Sequence, residues 1–202
     1  MAVRNFFRQL YFDKNLFFLL ALASICFVLG QFIAVLFSIA KIFLVFLLVL
    51  VLIDIYLLFF VKKARVIARR DLPEKLSNGD GNTVNIYLKS HFRVELKITI
   101  LDEVPVQFQI RDMKIYSLMK PLQEKQFSYT LVPKKRGEYH FGKLNVFIKT
   151  RQPGFVKRRF AFDFSKMVPV YPSFIQMKKM EIFAISNKIG RASCRERVCH
   201  RV

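Results

Sequence analysis

LFFLLALASICFVLGQFIAVLFSIAKIFLVFLLVLVLIDIYLLFFV, residues 16–61, decides the architecture. Its only charged residues are Lys41 and Asp54. A bilayer core about 30 Å thick is crossed by a helix of roughly 20 apolar residues. The stretch is therefore about two spans long, too long for one helix at ordinary tilt. It predicts a transmembrane hairpin, with a first span from about Leu16 to Phe37 and a second from about Lys41 to Val61. A short link around Ser38-Ile39-Ala40-Lys41 makes the two helices antiparallel neighbours.

The flanks orient the hairpin. Arg4, Arg8 and Lys14 precede the first span, while Lys62, Lys63, Arg65, Arg69 and Arg70 follow the second. Lys41 is the only basic residue assigned to the link. The positive-inside rule then puts both ends, and the domain that follows, in the cytoplasm at the cell (inner) membrane. A basic start before an apolar run also describes a signal peptide, but this run continues far beyond signal length. The basic run Lys62, Lys63, Arg65, Arg69, Arg70 reads as topology-setting or lipid-facing, suited to an anionic leaflet.

Asp54 lies about two turns from the cytoplasmic end of the second span. A carboxylate at that depth costs several kcal/mol on insertion scales. The expectation is an intramembrane polar contact with the partner helix or another copy. No second ionisable residue is at hand to complete a proton relay.

The rest of the composition excludes more than it identifies. A net charge of +20 on 202 residues suits nucleic acid, anionic lipid or acidic partners. Cys26 sits in the first span and Cys194 and Cys199 near the C-terminus, so no disulfide framework or zinc spacing arises. There is no phosphate loop or nucleophile elbow. His91 and His140 sit beside strands, and Asp102-Glu103 reads as a strand-end turn rather than an acid–base pair. No enzyme, cofactor, metal or small-molecule substrate is expected.

After a turn-rich linker, residues alternate with period two. Val84, Ile86 and Leu88 form one apolar face. Phe92, Val94, Leu96, Ile98 and Ile100 form the next, then Val106, Phe108 and Ile110, then Phe127, Tyr129 and Leu131. Tyr139 and Phe141 share a face, and after Gly142 the apolar set moves to Leu144, Val146 and Ile148, a parity switch that marks a turn or bulge. Phe160, Phe162 and Phe164 follow, with Val168–Pro172 as an edge strand. About seven short strands broken by Gly and Pro turns predict an all-β, immunoglobulin-like antiparallel sandwich over 83–172. The divisions are an N-terminus (1–15), the hairpin (16–61), a basic juxtamembrane linker (62–82), the sandwich (83–172), a linker or short helix (173–188) and a tail (189–202).

The order of parts resembles the N-terminal half of the bacterial "domain of unknown function 58" proteins. The residues that carry the resemblance are Asp54, the entry Arg70-Asp71-Leu72-Pro73-Glu74-Lys75-Leu76-Ser77-Asn78-Gly79-Asp80, the run Leu131-Val132-Pro133-Lys134-Lys135-Arg136-Gly137-Glu138-Tyr139-His140-Phe141-Gly142, and then Pro153-Gly154-Phe155 and Val170-Tyr171-Pro172. The resemblance implies a membrane-anchored protein with a von Willebrand factor A-like domain after the sandwich. It also implies a MoxR-type AAA+ ATPase as partner in the assembly or maturation of other proteins. This chain ends before that second domain and has no Asp-x-Ser-x-Ser metal site, so those activities do not carry over.

Ile189-Gly190-Arg191-Ala192-Ser193-Cys194-Arg195-Glu196-Arg197-Val198 reads as the translation of a sequencing adapter, which implies that a longer gene has been truncated. Cys194, Cys199 and His200 are accordingly not read as a metal site. The functional expectation is a membrane-anchored, non-catalytic protein-interaction module. Lys134, Lys135, Arg136 and Lys157, Arg158, Arg159 are two basic turns that form its candidate partner surface. The alternative is a membrane-tethered basic domain that binds anionic lipid or nucleic acid. Nucleic acid is the weaker option, because aromatics at strand spacing are more often core than a base-stacking platform.

Overall fold

The computed structural model describes residues 7–32, 34–61, 65–110, 113–173 and 177–185. A short strand β1 (Leu10–Phe12) leads into α1 (Lys14–Leu29) and α2 (Ala34–Ile55), and α2 continues as a wide π-turn over Tyr56–Phe60. The bend between the helices falls at Gly30–Phe32, not at the expected link 38–41. Ser38-Ile39-Ala40-Lys41 contains no helix breaker and stays inside α2. Gly30 permits the bend, because a Cβ there would lie 2.8 Å from the Phe37 Cα. Lys41 is thus a helical residue, with its ammonium 4.3 Å over the Phe37 ring.

α1 has 16 residues, about 24 Å at 1.5 Å per residue. The continuous helix Val35–Phe60 has 26 residues and is the one described helix long and apolar enough to cross a membrane. Phe18, Ile25, Val28, Ile42, Phe46 and Leu52 all project from the pair without protein cover. So much contiguous apolar surface is unusual on a protein surrounded by water.

The remaining strands are β2 (Val66–Asp71), β3 (Leu76–Ser77), β4 (Asn82–Ser90), β5 (Leu96–Asp102), β6 (Met113–Met119), β7 (Glu124–Leu131), β8 (Gly137–Phe141), β9 (Leu144–Thr150), β10 (Val156–Phe162) and β11 (Lys166–Tyr171). They form a β-sandwich. One sheet has the order β1-β10-β9-β5-β6, and opposite it lie β2-β4-β7 and β3-β11-β8. All pairings are antiparallel except β3 with β11. β8 and β9 run on from one another, as do β10 and β11, so the hairpin they make changes sheets near Gly142 and Phe164. This order is that of an immunoglobulin-type sandwich. The Tyr139 hydroxyl donates to the Lys135 carbonyl at 2.9 Å, a tyrosine-corner contact of the kind found in that fold. Inward residues of all three sheets share one core, including Val84, Ile86, Leu96, Ile98, Phe141, Val146 and Val168.

Several strand assignments change. β1 and β2 lie in segments expected to be an N-terminus and a linker. Val106–Ile110 is not a strand: Val106–Phe108 forms a 3-10 turn that ends at Gln109 with φ 58°, a left-handed conformation that breaks regular strand geometry. β6 is a strand that the period-two reading missed, since its outward face carries the apolar Tyr116 and Leu118 and so gives no polar contrast. β11 is not an edge strand but lies between β3 and β8, with Pro169 just before the two-residue pairing to β3 begins. The segment 177–185 is a short helix. Lys62, Lys63 and the tail 189–202 lie outside the described residues.

Candidate functional site at the junction of helices and sandwich

Asp54 is fully buried, yet its partner is not another helix. Its carboxylate accepts the Thr150 hydroxyl, the Phe155 N–H at 2.6 Å and the Val156 N–H at 3.2 Å. These donors belong to the β9–β10 turn, and the Gly154 N–H closes it by donating to Thr150 Oγ1 at 3.1 Å. Gly154 has φ +69°, and a Cβ there would lie 2.7 Å from the Thr150 carbonyl oxygen. A glycine is needed for the turn to wrap the carboxylate. The expected helix–helix contact is therefore corrected: Asp54 fastens the last turns of α2 to the sandwich. Strand pairing brings the turn to this place, which helix periodicity alone does not reveal.

The other end of the helical pair docks on the same hairpin. Asp13, just before α1, accepts Lys149 at 2.7 Å and Lys157 at 2.5 Å, and its N–H donates to the Phe155 carbonyl at 2.8 Å. Burial pushes the Asp13 carboxyl up, but the hydrogen bonds and charges of Lys149 and Lys157 outweigh it and hold it below its ordinary value. β1 adjoins, with Leu10 opposite Arg158 and Phe12 opposite Val156.

Arg158 completes the seam. It donates to the Leu58 carbonyl at 2.5 Å and lies between the Phe59 and Phe160 rings, at 4.7 and 4.6 Å. A cation on the carbonyl end of a helix is favoured by the helix dipole. Burial lowers the Arg158 pKa. Arg159 donates to Asn145 at 2.8 Å. Lys157, Arg158 and Arg159 are therefore not an open basic turn. They are strand residues of β10, committed to contacts within the chain.

The basic run after the helices divides by strand alternation. In β2, Val66, Ala68 and Arg70 point inward, while Arg69 is exposed. Arg65, just before the strand, is exposed as well. Arg70 is no lipid-facing residue: it pairs with Asp102 at 2.5 Å and donates to the Gly142 and Phe164 carbonyls at 3.0 and 2.6 Å. Those carbonyls lie where the β8–β9 and β10–β11 arms change sheets. Asp102 also accepts the Tyr129 hydroxyl at 2.5 Å. Burial and the Asp102 charge push the Tyr129 phenol far above its ordinary value. Glu103 accepts the Lys143 N–H and the Asn145 amide at 2.9 and 2.8 Å, so this carboxylate pair is a structural brace.

Lys134, Lys135 and Arg136 are exposed on the β7–β8 turn, at the far end of the sandwich from the helices. Among the described residues no group of three or more His, Cys, Asp or Glu is placed to hold a metal. Asp13, Thr150 and Tyr129 are the contact residues that the sequence reading missed. Only Asp13 carries a local signal, as a carboxylate immediately before an apolar helix.

No family model matches the chain, and no curated protein matches it. Among solved structures, the chain is similar to a PapD-like domain of human CEP192, at 16% identity over 55% of this chain and 87% of that one, with a TM-score of 0.41. It is also similar to the CARDB domain of PF1109 from Pyrococcus furiosus, at 10% identity over 55% and 90% of the two chains, with a TM-score of 0.37. A β-glucosidase from Listeria innocua aligns at 15% identity over 55% of this chain but only 16% of its own length, with a TM-score of 0.29.

Proposed function

We propose that the protein is a membrane-anchored, non-catalytic interaction module. α1 and α2 cross the bilayer as a two-span hairpin, both ends lie on the cytoplasmic side, and the sandwich presents its far end to a protein partner. The observation that carries this reading is the contrast along the helices. Apolar side chains are bare over most of their length, whereas the carboxylates at their sandwich ends, Asp13 and Asp54, are docked on one β-hairpin. The turn at Gly30 would then be periplasmic. The resemblance to domain-of-unknown-function-58 proteins makes a MoxR-type AAA+ ATPase the partner to try first, with Lys134, Lys135 and Arg136 as the surface to mutate.

Reporter fusions test the orientation. A cytoplasm-active reporter joined after Arg70 is expected to work, and one joined in the Gly30–Phe32 turn is expected to be active only if it is of the periplasmic type. A periplasmic reporter active after Arg70 overturns the topology.

A further inference from the structure

The sandwich end from which the helices leave is stitched together by its own backbone. The His91 N–H donates to the Arg65 carbonyl, the Leu122 N–H to the Phe92 carbonyl and the Arg151 N–H to the Glu95 carbonyl, each at 3.0 Å. The Asp54 contacts place the β9–β10 turn, and with it the β4–β5 and β6–β7 loops, beside the apolar helices. Three exposed cations crown this end: Arg65, Arg93 and Lys120. Among the described residues none of the three is in an ion pair, whereas the neighbouring Arg151 and Glu95 pair at 2.6 Å and Lys89 and Glu124 at 3.1 Å. The acidic side chains nearby are thus already matched.

Leu122 stands at the tip of the β6–β7 loop. It is 62% exposed and has φ 54°. A leucine in the left-handed region is strained, and an apolar side chain at a loop tip gains nothing from water. Glycine or asparagine would relax both costs. At a bilayer interface the same side chain can reach the headgroup–acyl boundary.

We propose that this rim is a second membrane contact, in which Arg65, Arg93 and Lys120 bind the headgroups of anionic phospholipid while Leu122 enters the interface. The proposal rests on the membrane-anchored reading above. Each basic residue near an anionic surface contributes about a fivefold preference, screened by salt over about 8 Å. Anionic lipid then holds the sandwich down on the bilayer, and the far end with Lys134, Lys135 and Arg136 stays free for a partner.

The test uses the full chain with Cys26, Cys194 and Cys199 replaced by serine and Pro121→Cys carrying an environment-sensitive fluorophore. It is placed in nanodiscs of phosphatidylcholine alone or mixed with phosphatidylglycerol. The expected result is a blue shift and protection from an aqueous quencher only with phosphatidylglycerol. High salt, Arg93→Glu with Lys120→Glu, or Leu122→Ser should each remove most of that effect. Lys75→Glu with Lys166→Glu, exposed by β3 and β11 away from this rim, should leave it intact. Equal quenching in both lipids, with the chain still disc-bound, overturns the proposal. A chain that stays in neither kind of disc overturns the anchored reading itself.

Discussion

Asp54 is the residue on which the arrangement turns. Its carboxylate satisfies two backbone N–H groups and a hydroxyl that no water reaches. Hydrogen bonds to a charged acceptor contribute about 1.5–3 kcal/mol each, and unmet buried donors cost about 1–3 kcal/mol. Asp54→Ala is therefore expected to destabilise the folded chain by about 3 kcal/mol, measured by chemical denaturation in detergent micelles. Asp54→Asn keeps one acceptor oxygen and should cost less. If alanine leaves stability unchanged, the carboxylate does not fasten helix to sandwich. The sequence points to a partner helix; the partner Thr150–Val156 becomes legible only once strand pairing brings that turn to the helix.

Among the elements, β1 with Asp13 is the least expected. Three residues of strand extend the large sheet, and the carboxylate that follows holds Lys149 and Lys157. Asp13 is held below its ordinary value of 3.8. A depressed carboxylate contributes stability that is present above its ordinary value and lost as pH falls through the lower folded one. Protease sensitivity of the segment around Arg8 should therefore rise on acidification below about pH 4, read with an acid-active protease. Asp13→Asn should show the raised sensitivity already at neutral pH and lose its acid dependence. The period-two pattern found β4, β5, β7 and the parity switch at Gly142, because each has a water-facing side that contrasts with the core. It fails for β6, whose outward face carries the apolar Tyr116 and Leu118 and so gives no polar contrast, and for β2, whose inward Arg70 looks like a surface charge.

At the scale of the molecule, Arg70 ties the sheets together. It reaches from β2 to Asp102 on β5 and to the two carbonyls where the β8–β9 and β10–β11 arms change sheets. Removing one partner of a buried pair leaves the other charge uncompensated, at about 3–5 kcal/mol. Arg70→Ala should lower stability by about that much. Arg70→Met with Asp102→Leu should recover a substantial part, because an apolar pair strands no charge. Thermal unfolding of the two variants in the same detergent decides this. An equal loss in both would show that the carbonyl contacts, not the ion pair, carry the effect.

Two apolar helical segments and a β-sandwich are readable from consecutive residues alone. Uninterrupted hydrophobicity and period-two alternation are local properties, written in consecutive residues. Asp54 stands out there as an odd charge, and Pro153-Gly154-Phe155 as part of the family resemblance. That these two features meet, that Arg70 and Arg158 make internal contacts while Arg65 and Arg93 are exposed, and that Lys134–Arg136 lies at the far end emerge from the folded arrangement. Those outcomes depend on which strands pair and in what register. A one-residue shift in register turns an inward cation outward, and charge composition carries no record of which register forms.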